Sequence, residues 1–459
     1  MAKIPAGKVL ISAQNVKYKV EKFIKAGSQG AVYKVSAGNK IYALKWYTKG
    51  GQDLENHFRF LVQKGIPKNS DSKPDTRFVW PQDLIKDGSC FGYIMDFVDH
   101  SKYVTLFRAL NKPGCYPKIK VLSKICINLA EAFDDLHKMG FCYKDISHNN
   151  ILFNKDTGDV LIVDNDNVVV NGQQGAILGT PKFMAPEVVV GKAGPNRETD
   201  KFSLASYFFY LIVGHNPFEG KVRDDYALKN NGVIDDAGFK EIFGTKAVFC
   251  FNPTDKRNAL TTAEYSKIVE RWENIVPDRL KDKFMKTFVT GLPLEKATER
   301  TTDKEWTILF NKIGFQPVKC SCGEEYFAGA KRCIKCGNIL SADSYSVHSK
   351  NTSVTNSNGV NITIMEKGVS QKKLYTVREN TIIRGGELGA SLKQCPQLAQ
   401  VLKNSKTGTL GLKNMTALQW YYKDANASNL EVIPSGRIVS LKKGRTIAFI
   451  RGQIQIIVQ

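Results

Sequence analysis

The sequence contains no run of about 20 apolar residues, the length that a helix needs to cross a bilayer. It also lacks a charged and then apolar leader, and it has no long run of basic residues. We therefore expect a soluble, cytoplasmic protein with no membrane partner. The net charge of +22 is spread over the whole chain, which indicates lysine-rich solvated faces and leaves nucleic acid binding as a minor alternative.

Cysteine is sparse, with ten residues in a chain of 459. A chain of this length exceeds one hydrophobic core and predicts two or three domains. Four of the cysteines are clustered near residue 330. The other six are scattered in patterned segments, where a thiol behaves as a small hydrophobe; they are Cys90, Cys115, Cys126, Cys142, Cys250 and Cys395.

Asp145, Asn150 and Asp164 fall in the order and spacing that a metal-dependent phosphoryl-transfer site requires. Each of them alone is also a common turn residue, so the inference rests on their combination. The three segments around them are Tyr143–Leu152, the apolar run Val160–Val163 leading into Asp164-Asn165-Asp166, and Gly179–Glu187. These segments resemble the H-R-D-L-x-x-x-N, D-F-G and A-P-E signatures of the eukaryotic-type (Hanks-type) protein kinases.

The resemblance implies a catalytic role for four residues. Asp145 would accept or orient the proton of the substrate hydroxyl, and Lys45 would hold the α- and β-phosphates of ATP. Asn150 and Asp164 would bind Mg²⁺ or Mn²⁺, with Asp164 bridging the metal ions to the phosphates. Asp166 stands at the glycine position of the signature, so we expect its carboxylate to cap the next turn or to face solvent.

The resemblance extends upstream to a small lobe. Ile24–Val32 matches a glycine-rich phosphate loop, with Lys25 in place of its first glycine, and Lys40–Lys45 resembles the V-A-I-K strand. We expect Glu55 on the next helix to pair with Lys45; the alternatives are Asp53 in that role and a solvated carboxylate at a helix start. Backbone groups of Asp96 to Val98 would bind adenine. The residues that the resemblance implies in nucleotide binding are Gly27, Gly30, Val32, Ala43, Lys45, Glu55, Asp96 and Val98.

Two further matches concern the large lobe. Thr199–Gly214 resembles its buried helix, in which Asp200 would brace the backbone of the catalytic segment. Ala297–Thr302 resembles the stretch whose arginine pairs with the A-P-E glutamate. Arg300 and Glu187 are therefore a predicted buried ion pair.

Several positions depart from the family pattern. Tyr143 and Lys144 replace His and Arg, Ser147 replaces a lysine, and Asn165-Asp166 replaces Phe-Gly. The base and the metal-binding residues are retained, which favours activity. Lys144 lacks the planar fork of arginine, so we do not expect regulation through a phosphorylated activation segment.

The clustered cysteines form a C-x-C pair followed, after ten intervening residues, by a C-x-x-C pair. Two such pairs resemble the knuckles of a compact zinc ribbon, in which four thiolates bind one structural Zn²⁺ and the metal substitutes for an absent core. A disulfide pair is the alternative, and a reducing cytoplasm disfavours it. The predicted ligands are Cys320, Cys322, Cys333 and Cys336.

The C-terminal part changes from a Ser-, Asn- and Thr-rich linker, expected over residues 341–369, to alternating strands that predict a β-sandwich over 370–459. This part distantly resembles a forkhead-associated domain. Arg384-Gly385 and Leu412–Thr416 stand where that fold places its phosphothreonine-reading loops, but the S-x-x-H element is absent. Phosphopeptide binding and a plain interaction module both remain open. The predicted strands are Lys373–Val377, Thr381–Gly385, Thr409–Asn414, Arg437–Leu441, Thr446–Ile450 and Gln453–Val458.

The predicted fold class is α+β: a bilobal protein-kinase fold over residues 1–316, a zinc ribbon over 317–340 and the C-terminal β-sandwich. The small lobe is expected over about 14–98 and the large lobe over about 99–316. The chain is similar to bacterial serine/threonine kinases that carry a zinc ribbon, some of which partner with metal-dependent phosphatases and von Willebrand A-type proteins. Two alternatives are a catalytically silent nucleotide-binding pseudokinase scaffold and a small-molecule phosphotransferase. The peptide-docking segment Gly179–Glu187 disfavours the phosphotransferase.

Overall fold

The computed structural model describes most of the chain, and the chain divides into two compact units, Met1–Val347 and His348–Gln459. Each unit is described by itself below. None of the described helices is both long and apolar enough to span a membrane. The described residues are 4–27, 30–47, 51–172, 179–314, 317–340, 360–366, 373–377, 379, 382–383, 398–405, 407–425, 427, 429–450 and 454–458.

The first unit opens with a six-stranded antiparallel sheet in the order β1-β2-β3-β4-β6-β5. Its strands are β1 (Val9–Ile11), β2 (Lys17–Ala26), β3 (Ala31–Ala37), β4 (Lys40–Tyr47), β5 (Asp83–Asp87) and β6 (Cys90–Asp96), and helix α1 (Gln52–Lys64) follows β4. Successive side chains of a strand point to opposite faces. Leu44 and Trp46 therefore join one buried cluster, while Lys45 and Tyr47 lie on the other face.

The rest of the first unit is mainly helical, with short strand pairs near its start. The strands are β7 (Val104–Thr105), β8 (Phe141–Cys142), β9 (Ile151–Phe153), β10 (Val160–Ile162) and β11 (Val169–Val170). The helices are α2 (Leu106–Asn111), α3 (Ile119–Lys138), α4 (Pro186–Val189), α5 (Arg197–Val213), α6 (Lys221–Lys229), α7 (Asp236–Lys240), α8 (Ser266–Asn274), α9 (Asp278–Met285) and α10 (Asp303–Gly314). The pairings β7-β9-β10 and β8-β11 place Asp145, Asn150 and Asp164 in the connections between these strands.

Helix α5 is the central helix of this region and is buried on nearly all sides. It begins with a capping box, in which Asn196 and Thr199 exchange hydrogen bonds, and it ends at Gly214, whose φ of 80° is left-handed. A helix that is apolar all round belongs in a protein core, and here the helix fixes Asp200 in its first turn. The predicted ion pair is also present: the Arg300 guanidinium donates to both Glu187 carboxylate oxygens at 2.8 and 3.0 Å, and both side chains are buried.

A small cysteine module ends the described part of the first unit. Its strands β12 (Val318–Lys319) and β13 (Glu325–Tyr326) pair antiparallel. The Phe327 ring lies 6.3 Å from that of Phe310 in α10, and the Lys331 N–H donates to the Asn274 carbonyl of α8 at 2.6 Å. The module therefore packs on the helical region as an extension of it.

The second unit is β-rich and contains two antiparallel sheets around one apolar core. The first sheet has the order β15-β14-β23-β22-β19-β20 and the second β16-β17-β18-β21. The strands are β14 (Val360–Glu366), β15 (Lys373–Val377), β16 (Ile382–Ile383), β17 (Ala399–Lys403), β18 (Leu410–Asn414), β19 (Trp420–Lys423), β20 (Glu431–Ile433), β21 (Ile438–Ser440), β22 (Thr446–Ile450) and β23 (Ile454–Val458).

Strand β14 corrects the expected boundary of this unit. Residues 341–369 were expected to form a linker and the β-region to start at 370, but Val360–Glu366 pairs with both β15 and β23. Ile362 of this strand is buried in the core, which explains why the segment belongs to the sheet. Arg384, Gly385 and Cys395 lie outside the described residues. Asn414 is buried, and its amide donates to the carbonyls of Leu418 and Ile433.

Candidate active site

The segment between β8 and β9, which holds the predicted catalytic residues Asp145 and Asn150, is fixed by the buried Asp200 of α5. The Asp200 carboxylate accepts hydrogen bonds from the backbone N–H of Tyr143 at 2.6 Å and of Lys144 at 3.1 Å. Lys144 has a φ of 67°, in the left-handed region that non-glycine residues seldom adopt. Two charge-assisted hydrogen bonds at this point therefore hold a strained turn that presents Asp145 to the cleft.

Asp145 is held by hydrogen bonds on both of its carboxylate oxygens. Oδ1 accepts from the Thr180 N–H at 2.8 Å and from the Thr180 hydroxyl at 2.7 Å. Oδ2 accepts from Nδ2 of Asn150 at 2.8 Å. The carboxylate is thus oriented before any substrate arrives, as a proton acceptor requires. Because Asn150 uses its amide hydrogens on Asp145, the amide oxygen is the atom it offers to a cation.

The segment after β10 lies next to this carboxylate. The backbone carbonyl of Asn150 accepts a hydrogen bond from the Val163 N–H at 2.9 Å, and the Tyr143 hydroxyl donates to the Val163 carbonyl. Asp164 follows with a left-handed φ of 55°, and its side chain remains 45% exposed. Asp164 offers an exposed carboxylate and the buried Asn150 offers its amide oxygen, and oxygen ligands of this kind suit the hard cations Mg²⁺ and Mn²⁺.

Lys45 is buried and points from β4 to the same segment. Its Nζ lies 2.7 Å from Oδ2 of Asp166 and 3.5 Å from Oδ1 of Asp164. Burial opposes the charge of Lys45, but the two carboxylates outweigh it and raise the pKa of the ammonium above its ordinary value. Tyr47, on the same face of β4, donates to Asp166 Oδ2 at 2.9 Å.

The structure corrects the expected partner of Lys45. Glu55 accepts instead from Arg59 at 2.9 Å and from Lys86 of β5 at 2.8 Å, and the neighbouring Lys86 lowers the pKa of this carboxylate. The reason is the short connection between β4 and α1, which leaves Glu55 in the first turn of the helix and on its side toward β5. The alternative partner, Asp53, is exposed.

Asp166 is also not where the sequence suggested. It was expected to cap a turn or to face solvent, but its side chain is only 6% exposed and is held by Lys45 and Tyr47. The single-turn helix Asn165–Asn167 turns this carboxylate inward. Asn165 anchors that turn by donating to the carbonyls of Val79 and Ile162. In the sequence, the presence of an acid in place of the signature's glycine was the only indication of this role for Asp166. Nothing in the sequence indicated the contact with Tyr47.

The predicted phosphate loop joins β2 and β3. The Gly27 N–H donates to the Gly30 carbonyl at 2.8 Å, and a Cβ atom on Gly30 would stand 2.5 Å from the Trp46 carbonyl oxygen, so the close backbone approach requires glycine. Val32 is opposite Lys45 in the β3–β4 register. These features fit a backbone cradle for phosphates.

The predicted adenine site lies at the end of the same sheet. Ala43 of β4 is buried and lies opposite Met95 of β6. Asp96 ends β6, and its exposed carboxylate pairs with Lys40 at 3.1 Å, while Val98 two residues on is half-buried. Because the Asp96 side chain faces outward, only its backbone groups would be offered to a base.

His137 of α3 supports the catalytic segment from behind, which the sequence did not reveal. Its two ring nitrogens lie 2.7 Å from Oδ2 of Asp303 and 3.1 Å from Oδ2 of Asp200. Burial disfavours its charge, but Asp303 and Asp200 outweigh burial and raise the pKa of His137 to about 9. The charged His137 imidazole thus holds Asp200 in place, and Asp200 in turn holds the backbone of Tyr143 and Lys144.

The four clustered cysteines converge on one point. Their Sγ atoms all lie within 4.8 Å of one another, with Cys320 and Cys336 at 3.5 Å and Cys322 and Cys333 at 3.5 Å. A tetrahedron with Zn–S bonds of about 2.3 Å has S–S edges of about 3.8 Å, so this arrangement fits a zinc ion. All four are free thiols in the structure.

Comparison with known proteins agrees with this geometry. The family model described as protein kinase domain matches residues 18–304. Rat cGMP-dependent protein kinase 2 is 35% identical over 102 residues, which are 21% of this chain and 13% of that protein. Rabbit Rho-associated protein kinase 1 is 23% identical over 214 residues, which are 44% of this chain and 15% of that protein. The cAMP-dependent protein kinase catalytic subunit of Arthrobotrys oligospora is 32% identical over 126 residues, which are 27% of this chain and 23% of that protein.

The chain therefore spans less than a quarter of the length of these curated relatives. Among solved structures, that of vaccinia related kinase 3 aligns with a TM-score of 0.41 and 16% identity. The alignment covers 53% of this chain and 76% of that one.

Proposed function

This chain belongs to the protein kinase family, and from that premise we propose that it transfers the γ-phosphoryl group of ATP to serine or threonine hydroxyls of a protein partner. One observation carries the proposal: Asp145 has both carboxylate oxygens hydrogen-bonded, one of them to Asn150, and the buried Lys45 lies 3.5 Å from the exposed Asp164. Phosphoryl transfer needs chiefly such placement of charge, with little covalent chemistry by the protein.

Each residue has a defined task in this reaction. Asp145 orients the acceptor hydroxyl and takes its proton at the free lone pairs of its carboxylate. Lys45 donates to the α- and β-phosphates, and the backbone around Gly30 covers them. Asp164 and Asn150 would hold Mg²⁺ or Mn²⁺, which supplies positive charge to the phosphate oxygens.

Serine and threonine are the proposed acceptors because of Thr180. Its hydroxyl donates to Asp145 at 2.7 Å, so the peptide-docking segment Gly179–Glu187 is tied to the proton acceptor. A short aliphatic hydroxyl needs the docked backbone close to Asp145, and this tie provides that closeness. A labelled product analysed for phosphoserine, phosphothreonine and phosphotyrosine tests the assignment.

A catalytically silent nucleotide-binding scaffold is the second candidate. It is favoured by the engagement of Lys45 with Asp166 and Asp164 in place of a helix carboxylate. Transfer of radiolabelled phosphate from ATP to generic protein substrates, with Mg²⁺ and with Mn²⁺, separates the two. Binding of ATP without any transfer, across metals and substrates, would support the scaffold.

The cysteine module would hold one structural Zn²⁺ through Cys320, Cys322, Cys333 and Cys336. All four ligand positions are filled by sulfur, so no open position remains for catalysis at the metal. The β-rich unit would serve as a protein-interaction module, with a metal-dependent phosphatase or a von Willebrand A-type protein as the proposed kind of partner. Because the Asn414 side chain is fully engaged in hydrogen bonds within the unit, we favour a plain interaction module over a phosphothreonine-binding domain.

A further inference from the structure

The two carboxylates beside Lys45 differ in their surroundings. Asp166 is 2.7 Å from the Lys45 Nζ and is 6% exposed, whereas Asp164 is 3.5 Å away and 45% exposed. Asp164 therefore faces the cleft, and Asp166 lies behind it. A cation held by Asp164 would offset part of the charge of that carboxylate. Asp166 would then be the carboxylate that continues to neutralise and orient Lys45.

The position of Asp166 is fixed from two directions. From β4, the Tyr47 hydroxyl and the Lys45 ammonium donate to the same oxygen, Oδ2. From its own segment, the turn is anchored by the Asn165 amide, and Asn167 donates twice to the Asp164 carbonyl. Because the Asp166 carboxylate is itself fixed, it can fix the orientation of the Lys45 ammonium, as the positioning of a functional side chain requires.

Helix α1 provides no competing carboxylate. Glu55 is engaged by Lys86 and Arg59, and Asp53 is exposed. The sequence between Asp164 and Gly179 contains no serine, threonine or tyrosine, so this stretch offers no hydroxyl to phosphorylate. The observed contacts thus leave Lys45 without a carboxylate partner on helix α1, and residues 165–178 offer no hydroxyl for phosphorylation.

We propose that Asp166 is the positioning residue for Lys45, and that the segment following β10 sets the lysine without a carboxylate from helix α1. This inference deepens the proposed phosphoryl transfer and rests on it. It predicts a kinase whose nucleotide site is assembled in the folded chain.

One feature of Asp166 defines the competing explanation. Its second oxygen, Oδ1, is buried and has no hydrogen-bond partner among the described residues. A carboxylate oxygen of this kind could instead bind a cation directly. The test must therefore separate action through Lys45 from action through a metal ion.

The experiment measures ATP affinity of the full chain by isothermal titration calorimetry, once with Mg²⁺ and once in EDTA. The variants are Asp166→Asn, its matched control Glu55→Gln, Lys45→Met, and the Lys45→Met/Asp166→Asn double variant. We expect Asp166→Asn to weaken ATP binding at least about tenfold in both conditions and Glu55→Gln to change it less than about twofold. In the Lys45→Met background, Asp166→Asn should add less than about twofold, because a residue that acts through Lys45 has nothing left to act on.

Three results would overturn the inference. If Asp166→Asn weakened ATP binding only in the presence of Mg²⁺, Asp166 would be a metal ligand. If its effect on ATP affinity added fully to that of Lys45→Met, its role would be structural, and if Glu55→Gln weakened ATP binding strongly, Glu55 of helix α1 would be the positioning residue. Circular dichroism checks folding. Should Asp166→Asn not fold, Tyr47→Phe replaces it, with an expected weakening of about threefold in both conditions. If the unaltered chain binds ATP but transfers no phosphate, the proposed function is refuted. The positioning role of Asp166 is still tested in that case, because the comparison of ATP affinities does not depend on transfer.

Discussion

Removing metal from the cysteine module should destabilise the neighbouring helical region as well as the module. The module has only a small buried apolar cluster, so the metal would supply much of its folding energy. Its contacts with α8 and α10 would be lost with its fold. The perturbation is either chelation of the purified protein or Cys333→Ser, which removes the ligand that is fully buried.

The size of the effect follows from the contacts between the module and the helices. The Phe327 side chain is buried in the core of the helical region, and the N–H groups of Ala328 and Lys331 donate to the carbonyls of Ile313 and Asn274. Burying a phenylalanine contributes about 2 kcal/mol, and each hydrogen bond contributes about 1 kcal/mol. The free energy of unfolding should thus fall by about 4 kcal/mol. At about 2–4 °C per kcal/mol for a domain of this size, the unfolding temperature should fall by roughly 10 °C.

The assay is thermal unfolding followed by tryptophan fluorescence, because the tryptophans Trp272 and Trp306 lie in the helical core. Elemental analysis of the purified chain should find one zinc per chain. Cys90→Ser, outside the cluster, is the control and should retain both the zinc and the response to chelator. An unfolding temperature that does not move on zinc removal would refute the reasoning, as would a chain that contains no zinc.

Three further predictions concern charged side chains of the first unit. Glu187→Ala leaves the Arg300 guanidinium buried without its partner and should lower the free energy of unfolding by about 3–5 kcal/mol in urea titrations; a loss below 1 kcal/mol would contradict this. Because the pKa of His137 is raised to about 9, its stabilisation should be complete below about pH 6.5 and lost as pH rises through 9, a decline of about 3 kcal/mol. The measurement is urea unfolding across that range, and a His137→Gln variant should lack the decline. Asp164→Ala should abolish phosphate transfer while circular dichroism stays unchanged; retained activity would show that another residue binds the metal.

The sequence was sufficient for contacts that lie within or between recognisable motif segments. Asp145 and Asn150 stand five residues apart in one loop, and their mutual hydrogen bond follows from that spacing. The pairing of Glu187 with Arg300 was likewise inferred from two recognisable segments. In such cases the motif carries the geometry, because the surrounding fold is common to the family.

It was insufficient where the geometry depends on how elements meet. The partner of Lys45 depends on the length of the connection from β4 to α1, which turns Glu55 toward Lys86. His137 looks like any polar residue at a helix end, yet tertiary packing places it between two aspartates. Strand β14 was assigned to the linker because of the Ser-, Asn- and Thr-rich residues before it, and its burial comes only from pairing with β15 and β23.

The central claim is that this cleft transfers phosphate, and one measurement tests it most directly. Purified chain is incubated with γ-labelled ATP, Mg²⁺ or Mn²⁺ and a mixture of generic protein substrates, beside an Asp145→Asn variant that keeps the shape of the side chain. We expect label on serine or threonine with the unaltered chain, and a loss of at least about a hundredfold with the variant. Label that is equal for both chains, or absent for the unaltered chain with either metal, would contradict the account.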